Sequence, residues 1–176
     1  YVLYDPINSL NTNNVRGVRL EDIKKRPKVT IPKISNWIGI NENKNLFKSE
    51  FLGKKFSRPS KSFNNISGFD LRSIEVPIGR FFGKKDIKIL ETLLWPFLNT
   101  YGYTSKSKNE FTENLNKIKP LIGQPLEFEL KLKNQKTFQN KKIKGMDPFN
   151  IMHQRFFDAH QILTKKGTYP YIIKPL

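Results

Sequence analysis

Residues 125–135 read Pro-Leu-Glu-Phe-Glu-Leu-Lys-Leu-Lys-Asn-Gln and contain the most regular alternation of apolar and charged side chains in the chain. From Leu126 to Lys133, every even position is apolar and every odd position is charged. Since side chains of a β-strand point alternately to opposite faces, this stretch predicts a half-buried strand. Asn134 and Gln135 are typical of a turn, and 136–144 is interpreted as the returning strand of a hairpin.

Upstream of this hairpin, the alternation of Ile74, Val76 and Ile78 predicts another strand. Pro77 lacks a backbone N–H and therefore places that strand at a sheet edge or a bulge. A helix is predicted from about Lys84, and Pro96 should kink or end it. Its apolar face repeats at helical spacing, with Ile87, Leu90, Leu94 and Leu98.

Two further segments complete the second part of the chain. Residues 109–119 have apolar side chains at helical spacing but also alternate, so a helix and an exposed strand both remain open. The last helix has clear ends, because Asp147 can cap it, Pro148 suits its first position and Gly167 can stop it.

The order of these elements is strand, helix, a further strand, hairpin and helix. It predicts an α/β fold for residues 69–176, in which helices pack on a small mixed sheet. An α+β sandwich with the same layers is the closest variant of this prediction.

Residues 1–68 are predicted to form a long extended basic arm, because prolines and Asn/Ser clusters interrupt its short apolar groups. A turn or two of helix is expected at 19–25, whereas 29–34 around Pro32 should be extended. Apolar side chains along the arm are interpreted as anchors that dock on neighbouring proteins, namely Trp37, Phe51 and Phe56. For Trp37, stacking on a base remains an alternative to such an anchor.

The net charge of +17 arises from 32 Lys and Arg against 15 Asp and Glu in 176 residues. Such an excess repels itself in a compact chain unless a polyanion neutralises it. Phosphate backbones are the commonest neutraliser, and acidic lipid is the second candidate. Because 25 lysines stand against 7 arginines, phosphate contact is favoured over bidentate reading of bases.

Three basic clusters are the candidate RNA-binding residues, and two of them fall on the predicted arm. Extended basic segments suit folded RNA, because they can run between its helices and contact phosphates. The clusters are Lys24, Lys25, Arg26 and Lys28; Lys54, Lys55, Arg58 and Lys61; and Lys141, Lys142 and Lys144.

Catalytic chemistry finds little support in the sequence. The chain has no cysteine, which excludes a disulfide, a thiol nucleophile and a cysteine-based metal site. His153 and His160 are seven residues apart and are interpreted as packed histidines on one helix. Glu127 and Glu129 alternate with lysines and are interpreted as partners for cross-strand pairing. No enzyme activity, cofactor, metal or small-molecule substrate is therefore expected, and no apolar run approaches the roughly 20 residues of a membrane span.

Three stretches resemble family fifty-three of the large-subunit proteins of the mitochondrial ribosome. Between residues 71 and 166, they occur in the same order and spacing as in that family. An apolar segment leads through Phe82-Gly83-Lys84-Lys85 into a helix, Asn116-Lys117-Ile118-Lys119-Pro120-Leu121 precedes the hairpin, and Met146-Asp147-Pro148 leads to Arg155-Phe156-Phe157-Asp158. Two departures are Arg80-Phe81-Phe82, where the family tends to have proline, and the arm, which has no counterpart in the short members.

The resemblance implies a thioredoxin-like fold used for docking without redox chemistry, to which the absence of cysteine is well suited. It also implies a structural role in contact with rRNA and neighbouring ribosomal proteins, and it supplies no catalytic residues.

The sequence therefore predicts a structural constituent of the large subunit of the mitochondrial ribosome, located in the mitochondrial matrix. The alternatives are an accessory subunit of a respiratory complex, which would make protein contacts, and another RNA-binding protein. A metal-dependent nuclease would need acidic residues clustered on one face. Because the chain begins with Tyr1, it is expected to be a processed product or part of a longer precursor.

Overall fold

A computed structural model describes residues 14–48, 50–51, 54–55, 69, 71–133 and 148–176 of the chain. These residues belong to two compact units. Unit 1 contains the described residues up to Val76 together with Ile173–Leu176, and unit 2 contains the described residues of Pro77–Ile172.

Helices dominate both units. The helices of unit 1 are α1 (Leu20–Lys25) and α2 (Pro27–Ile38), and its strands are β1 (Glu50–Phe51) and β2 (Lys54–Lys55). Unit 2 contains α3 (Lys84–Leu93), α4 (Trp95–Thr100), α5 (Lys108–Ile118), α6 (Glu127–Lys133) and α7 (Pro148–Lys166). Single 3-10 turns cover Lys44–Phe47, Arg72–Ile74, Ile78–Arg80 and Lys119–Leu121.

The predicted α/β fold, and with it the thioredoxin-like mixed sheet, is wrong. Within the described ranges, strand pairing is limited to β1 with β2, two residues each, and one isolated bridge between Gly17 and Pro175. In unit 2, the described residues form helices and turns around a helical core, so no sheet is available for helices to cover.

The stretch of alternating residues is helix α6 and not a strand. Its first turn is held by carboxylates. Asp86, on α3, is fully buried and accepts hydrogen bonds from the backbone amides of Glu127 and Phe128, both at 2.9 Å. The Oε2 atom of Glu129 accepts from the amide of Leu126 at 2.7 Å. Three amides at the start of α6 therefore have charged acceptors, at the end of the helix where negative charge is favoured.

Glu129 explains why alternation was a misleading signal. The strand prediction places Glu129 on the solvent face, but only 2% of it is exposed. Its Oε2 atom is bonded to the amide of Leu126, which offsets part of the cost of burial, while Oε1 is buried without a hydrogen-bond partner. The second half of the predicted hairpin, 136–144, lies outside the described residues.

The N-termini of α3 and α6 lie close to each other. Asp86 reaches from α3 to the first amides of α6, and the carboxylate of Glu127 lies against Gly83, the residue before α3. A Cβ atom at Gly83 would overlap that carboxylate. A side chain at position 83 would therefore displace the exposed Glu127 carboxylate from its present position.

Residues 109–119, for which the sequence leaves helix and strand open, belong to α5. Ser107 and Glu110 form a capping box, in which the Ser107 side chain accepts from the Glu110 amide at 3.2 Å and Glu110 Oε2 accepts from the Ser107 amide at 2.7 Å. The hydrogen bonds from Ser107 hold the pKa of the Glu110 carboxyl below its ordinary value. This reciprocal cap favours the helix over the strand.

The core of unit 2 lies between α3, α5 and α7, with α6 packed on α3. Its buried apolar residues come from α3, α5 and α7, from the segment between α5 and α6, and from the residues after α7, and each removes apolar surface from water. They are Ile89, Leu93, Phe111, Leu115, Ile118, Ile122, Leu126, Ala159, Leu163 and Tyr169.

Buried polar groups connect the helices of this core. The Tyr169 hydroxyl donates to the carbonyl of Leu93 at 2.7 Å, near the end of α3. The Nε2 atom of His160 lies 3.0 Å from the carbonyl of Leu115, which joins α7 to α5. His160 is thus a packed, hydrogen-bonded histidine, as the sequence predicts. The side chain of His153 lies outside the described set.

Several predicted helix boundaries are confirmed. α3 begins at Lys84 as expected, and it ends at Leu93 just before α4, which has Pro96 at its second position. The last helix begins at Pro148 and ends before Gly167, whose φ of 68° is the left-handed value that favours glycine. Asp147, the predicted cap, lies outside the described residues.

The strand predicted at 74–78 is wrong. The amide of Ile74 donates to the carbonyl of Leu71 at 2.9 Å, and that of Arg80 donates to Pro77 at 3.0 Å, so both ends of the segment bond locally in 3-10 turns. Pro77 has no amide with which to join a ladder.

The extended conformation predicted for 29–34 is also wrong, whereas the helix expected at 19–25 is confirmed as α1. α2 begins with Pro27 at its first position and passes through Pro32. It ends at Gly39, whose φ is 75°. Pro27 and Gly39 are favourable helix ends, and they outweigh the hydrogen bond that Pro32 cannot donate to the Lys28 carbonyl.

Replacement of Asp86 tests the capping arrangement. Asp86→Asn keeps the side-chain shape but puts an NH2 group against a backbone N–H and removes the charge at the start of α6. We expect the free energy of unfolding, measured by urea denaturation, to fall by about 3 kcal/mol.

The matched control is Asp158→Asn on α7. Asp158 is exposed and accepts from Gln154 at 2.9 Å within its own helix, so its loss should change stability by less than about 0.5 kcal/mol. Equal effects of the two replacements would contradict the role assigned to Asp86.

Candidate nucleic-acid interface

The first predicted basic cluster lies where α1 meets α2. Lys24 and Lys25 are in the last turn of α1, Arg26 lies between the helices, and Lys28 is in the first turn of α2. Lys25 and Lys28 are exposed. The helix dipole favours Lys24 and Lys25 near the C-terminus of α1 and disfavours Lys28 near the N-terminus of α2.

Asp22 organises two arginines of this region. Arg26 Nη2 lies 2.5 Å from Asp22 Oδ1, and Arg19 Nε lies 3.6 Å from Asp22 Oδ2. The hydrogen bond from Arg26 holds the pKa of the Asp22 carboxyl below its ordinary value, with help from the charges of Arg19 and Lys33. Thr30 Oγ1 also donates to the carbonyl of Asp22 at 2.9 Å, which ties α2 to α1.

Three exposed lysines lie on the same two helices as this arrangement. In the part of the chain that the structure describes, Lys25, Lys28 and Lys33 make no salt bridge with a carboxylate. From Ile23 to Asn41, the sequence contains five basic residues and no acidic one. The end of α1 and the whole of α2 therefore carry a net positive charge that can attract an anionic partner.

One face of α2 combines apolar, basic and amide side chains. Val29, Lys33, Asn36 and Trp37 occupy positions i, i+4, i+7 and i+8, which lie on one side of a helix. All four are exposed, Val29 by 56% and Trp37 by 41%. The buried residues of α2 are the small polar residues Thr30 and Ser35.

The remaining predicted residues are placed only in part. Lys54 and Lys55 form β2, where Lys54 is opposite Phe51 and Lys55 is opposite Glu50. The other predicted contacts lie outside the described residues: Phe56, Arg58, Lys61, Lys141, Lys142 and Lys144. Of the three clusters, the structure thus brings together the first, and it places Trp37 on the helix that follows.

Lys33 is the residue that the sequence prediction missed. The expectation of an extended chain around Pro32 separates it from the cluster, whereas the helix places it between Val29 and Trp37. The four-residue spacing of these three residues was the available signal.

Several basic groups of unit 2 are already paired. Lys106 Nζ lies 2.6 Å from Glu91 Oε2, and Lys117 Nζ lies 3.5 Å from Glu113 Oε2. The Lys106–Glu91 pair lies beside an open cleft of about 290 Å³ whose other lining residues are Leu98, Tyr103, Thr104 and Ser105. The two charged groups lining this cleft neutralise each other, so it offers less to a polyanion than α1 and α2 do.

Among the residues with described positions, no three acidic or histidine side chains converge to hold a metal ion. Over the same ranges, no helix has both the length and the hydropathy to cross a membrane.

The Asp22 arrangement predicts a specific pH dependence. Because its folded-state pKa is lowered, Asp22 stabilises α1 and α2 above its unfolded pKa of about 3.9, and that stability is lost as the pH falls through the lower folded value. Arg26→Gln should return the pKa of Asp22 toward its ordinary value, measured by NMR titration of the carboxyl carbon.

Lys25→Gln is the control, because Lys25 is exposed and is not among the groups that shift the pKa of Asp22. The pairing is refuted if Asp22 titrates identically in Arg26→Gln and the unmodified chain.

In comparisons with protein families, curated proteins and solved structures, no match to this chain was found. The charge and the geometry of α1 and α2 therefore support the function proposed below.

Proposed function

We propose that this protein is a non-catalytic, RNA-binding constituent of a ribonucleoprotein particle, namely the large subunit of the mitochondrial ribosome in the mitochondrial matrix. It binds rRNA through the basic surface of α1 and α2 and also contacts neighbouring ribosomal proteins. The observation that carries the proposal is the run of five basic and no acidic residues from Ile23 to Asn41, folded into two adjoining helices.

Phosphate is the ligand chemistry that this surface fits. Lys25, Lys28 and Lys33 are exposed cations, and lysine supplies a compact charge on a flexible stem that suits phosphates without selecting a base. RNA binding of this kind releases counterions and weakens steeply as salt rises. A net charge of +17 over the whole chain points to the same class of partner.

The choice of particle rests on local sequence. The three stretches between residues 71 and 166 that resemble the ribosomal family support a mitochondrial ribosomal protein by their order and spacing. The helical architecture of unit 2 removes the thioredoxin-like fold from that argument, because the segment preceding α3 and the stretch that becomes α6 are not strands.

Salt dependence tests the interface. We expect the triple variant Lys25→Ala, Lys28→Ala and Lys33→Ala to bind single-stranded RNA more weakly and to lower the slope of log affinity against log salt by about 2. Fluorescence anisotropy of a labelled oligonucleotide, measured over a range of salt concentrations, gives both quantities.

The control variant removes the same charge from the region of α5, with Lys106→Ala, Lys108→Ala and Lys117→Ala. Two of these lysines are already paired with glutamates, so the slope should change by much less. If both triple variants lower the slope equally, net charge governs binding and the α1–α2 interface is wrong.

Co-sedimentation tests the particle. The tagged protein should migrate with the mitochondrial large ribosomal subunit on a sucrose gradient at low salt, and RNase treatment should release it. Migration with a respiratory complex, unaffected by RNase, would identify the protein as an accessory subunit of that complex and would overturn the ribosomal proposal.

A further inference from the structure

We infer that the exposed face of α2 binds an unpaired nucleobase, which stacks on the indole of Trp37 while Lys33 contacts the phosphate of the same or the adjacent nucleotide. The inference rests on the proposed function, because it takes RNA as the partner. It adds a preference for single-stranded or looped RNA over duplex RNA, which charge alone does not supply.

Trp37 is the aromatic side chain on the exposed face of α2. Its side chain is 41% exposed on a regular helix. Trp95 shows how a tryptophan is held within this fold: its ring stacks on Phe111, with centroids 4.5 Å apart and planes inclined by 13°, and its Nε1 donates to the Lys106 carbonyl at 3.1 Å. Trp37, in contrast, leaves about two fifths of its surface exposed to solvent.

Lys33 is the basic residue beside Trp37. It precedes Trp37 by four residues, one helical turn or roughly 6 Å along the axis, on the same face. A lysine side chain spans that distance, so its ammonium group can reach the phosphate of a nucleotide whose base lies on the indole. Alternating aromatic and basic groups are the arrangement that single-stranded nucleic acid requires.

The charge around this face is complementary to the negative charge of phosphate. Lys33 is exposed on this face, and α2 itself contains no acidic residue. Asn36, also exposed, adds an amide with both a donor and an acceptor for the edge of a base. The surroundings of Trp37 therefore attract phosphates, which places bases within its reach.

A lipid surface fits this face less well. A helix that lies in a membrane interface separates an apolar side from a basic side, whereas Lys33 lies between Val29 and Trp37 at the centre of the exposed stripe. Ile38 is also exposed, but it lies about 100° around the helix from Trp37 and does not extend the stripe. Docking on an apolar protein surface would bury Lys33, and charged residues are depleted from the cores of such interfaces.

Intrinsic fluorescence of the full chain tests the inference, because Trp37 and Trp95 are its two tryptophans. The probes are a uridine oligonucleotide of about 12 residues, which is within the range that one binding surface covers, and an RNA duplex of the same length. Trp95→Phe leaves Trp37 as the sole reporter, and Trp37→Phe leaves Trp95. The single strand should quench Trp37 strongly, the duplex should quench it weakly, and Trp95 should change little.

Affinity measurements separate stacking from apolar contact. Trp37→Leu keeps apolar area but removes the aromatic face, so it should weaken binding of the single strand by about 5- to 150-fold, as expected for the loss of one stacked base. Trp37→Phe keeps a ring and should lose much less. If Trp95→Phe fails to fold by circular dichroism, the spectrum of the unmodified chain minus that of Trp37→Phe gives the Trp37 signal.

Each remaining outcome is decisive. If Trp37→Leu binds the single strand as tightly as the unmodified chain, with the same salt dependence, stacking is wrong and the proposed function stands. If the unmodified chain binds neither RNA, both fail. If vesicles of phosphatidylcholine and phosphatidylserine shift Trp37 emission to the blue and the oligonucleotide does not quench it, the face is a membrane surface and the inference is overturned.

Discussion

The carboxylate of Asp86 lies fully buried on α3 and accepts hydrogen bonds from the first two amides of α6. Hydrogen bonds offset the cost of burying a carboxylate, and the amides at a helix N-terminus supply both donors and a favourable dipole. The same hydrogen bonds join the first turn of α3 to the start of α6. α6 has seven residues, which is too short to be stable alone, so its conformation depends on this contact and on the burial of Leu126.

Signals between residues that are close in the sequence predict several helix ends of unit 2. Contacts between residues that are far apart in the sequence could not be predicted. The bounds of α3 and α7 follow from apolar spacing, Pro148 and Gly167, all of which act within a few residues. α6 was mistaken for a strand because its alternation is visible in the sequence, whereas its cap comes from Asp86, 41 residues away. The capping box of Ser107 and Glu110 was a local signal that would have decided the structure of α5.

The sequence predicted the basic residues of the candidate interface but not the helical conformation of α2. The charge of Lys24, Lys25, Arg26 and Lys28 is plain from the sequence, and it is these residues that meet at the junction of α1 and α2. Pro32 favours an extended chain, because proline has no amide to donate and restricts the residue before it. The favourable ends of α2, Pro27 and Gly39, outweigh this preference. Only the helix brings Lys33 beside Trp37, so the combination of charge and ring could not be found while the segment was taken as extended.

The separation between Asp86 and its partners also orders events during synthesis. Asp86 leaves the ribosome 41 residues ahead of Glu127, which at about 5–20 residues per second is a delay of roughly 2 to 8 s. During that interval, the carboxylate has no α6 amides to bond, and burying it would be costly. We therefore expect the core of unit 2 to close only after α6 has emerged.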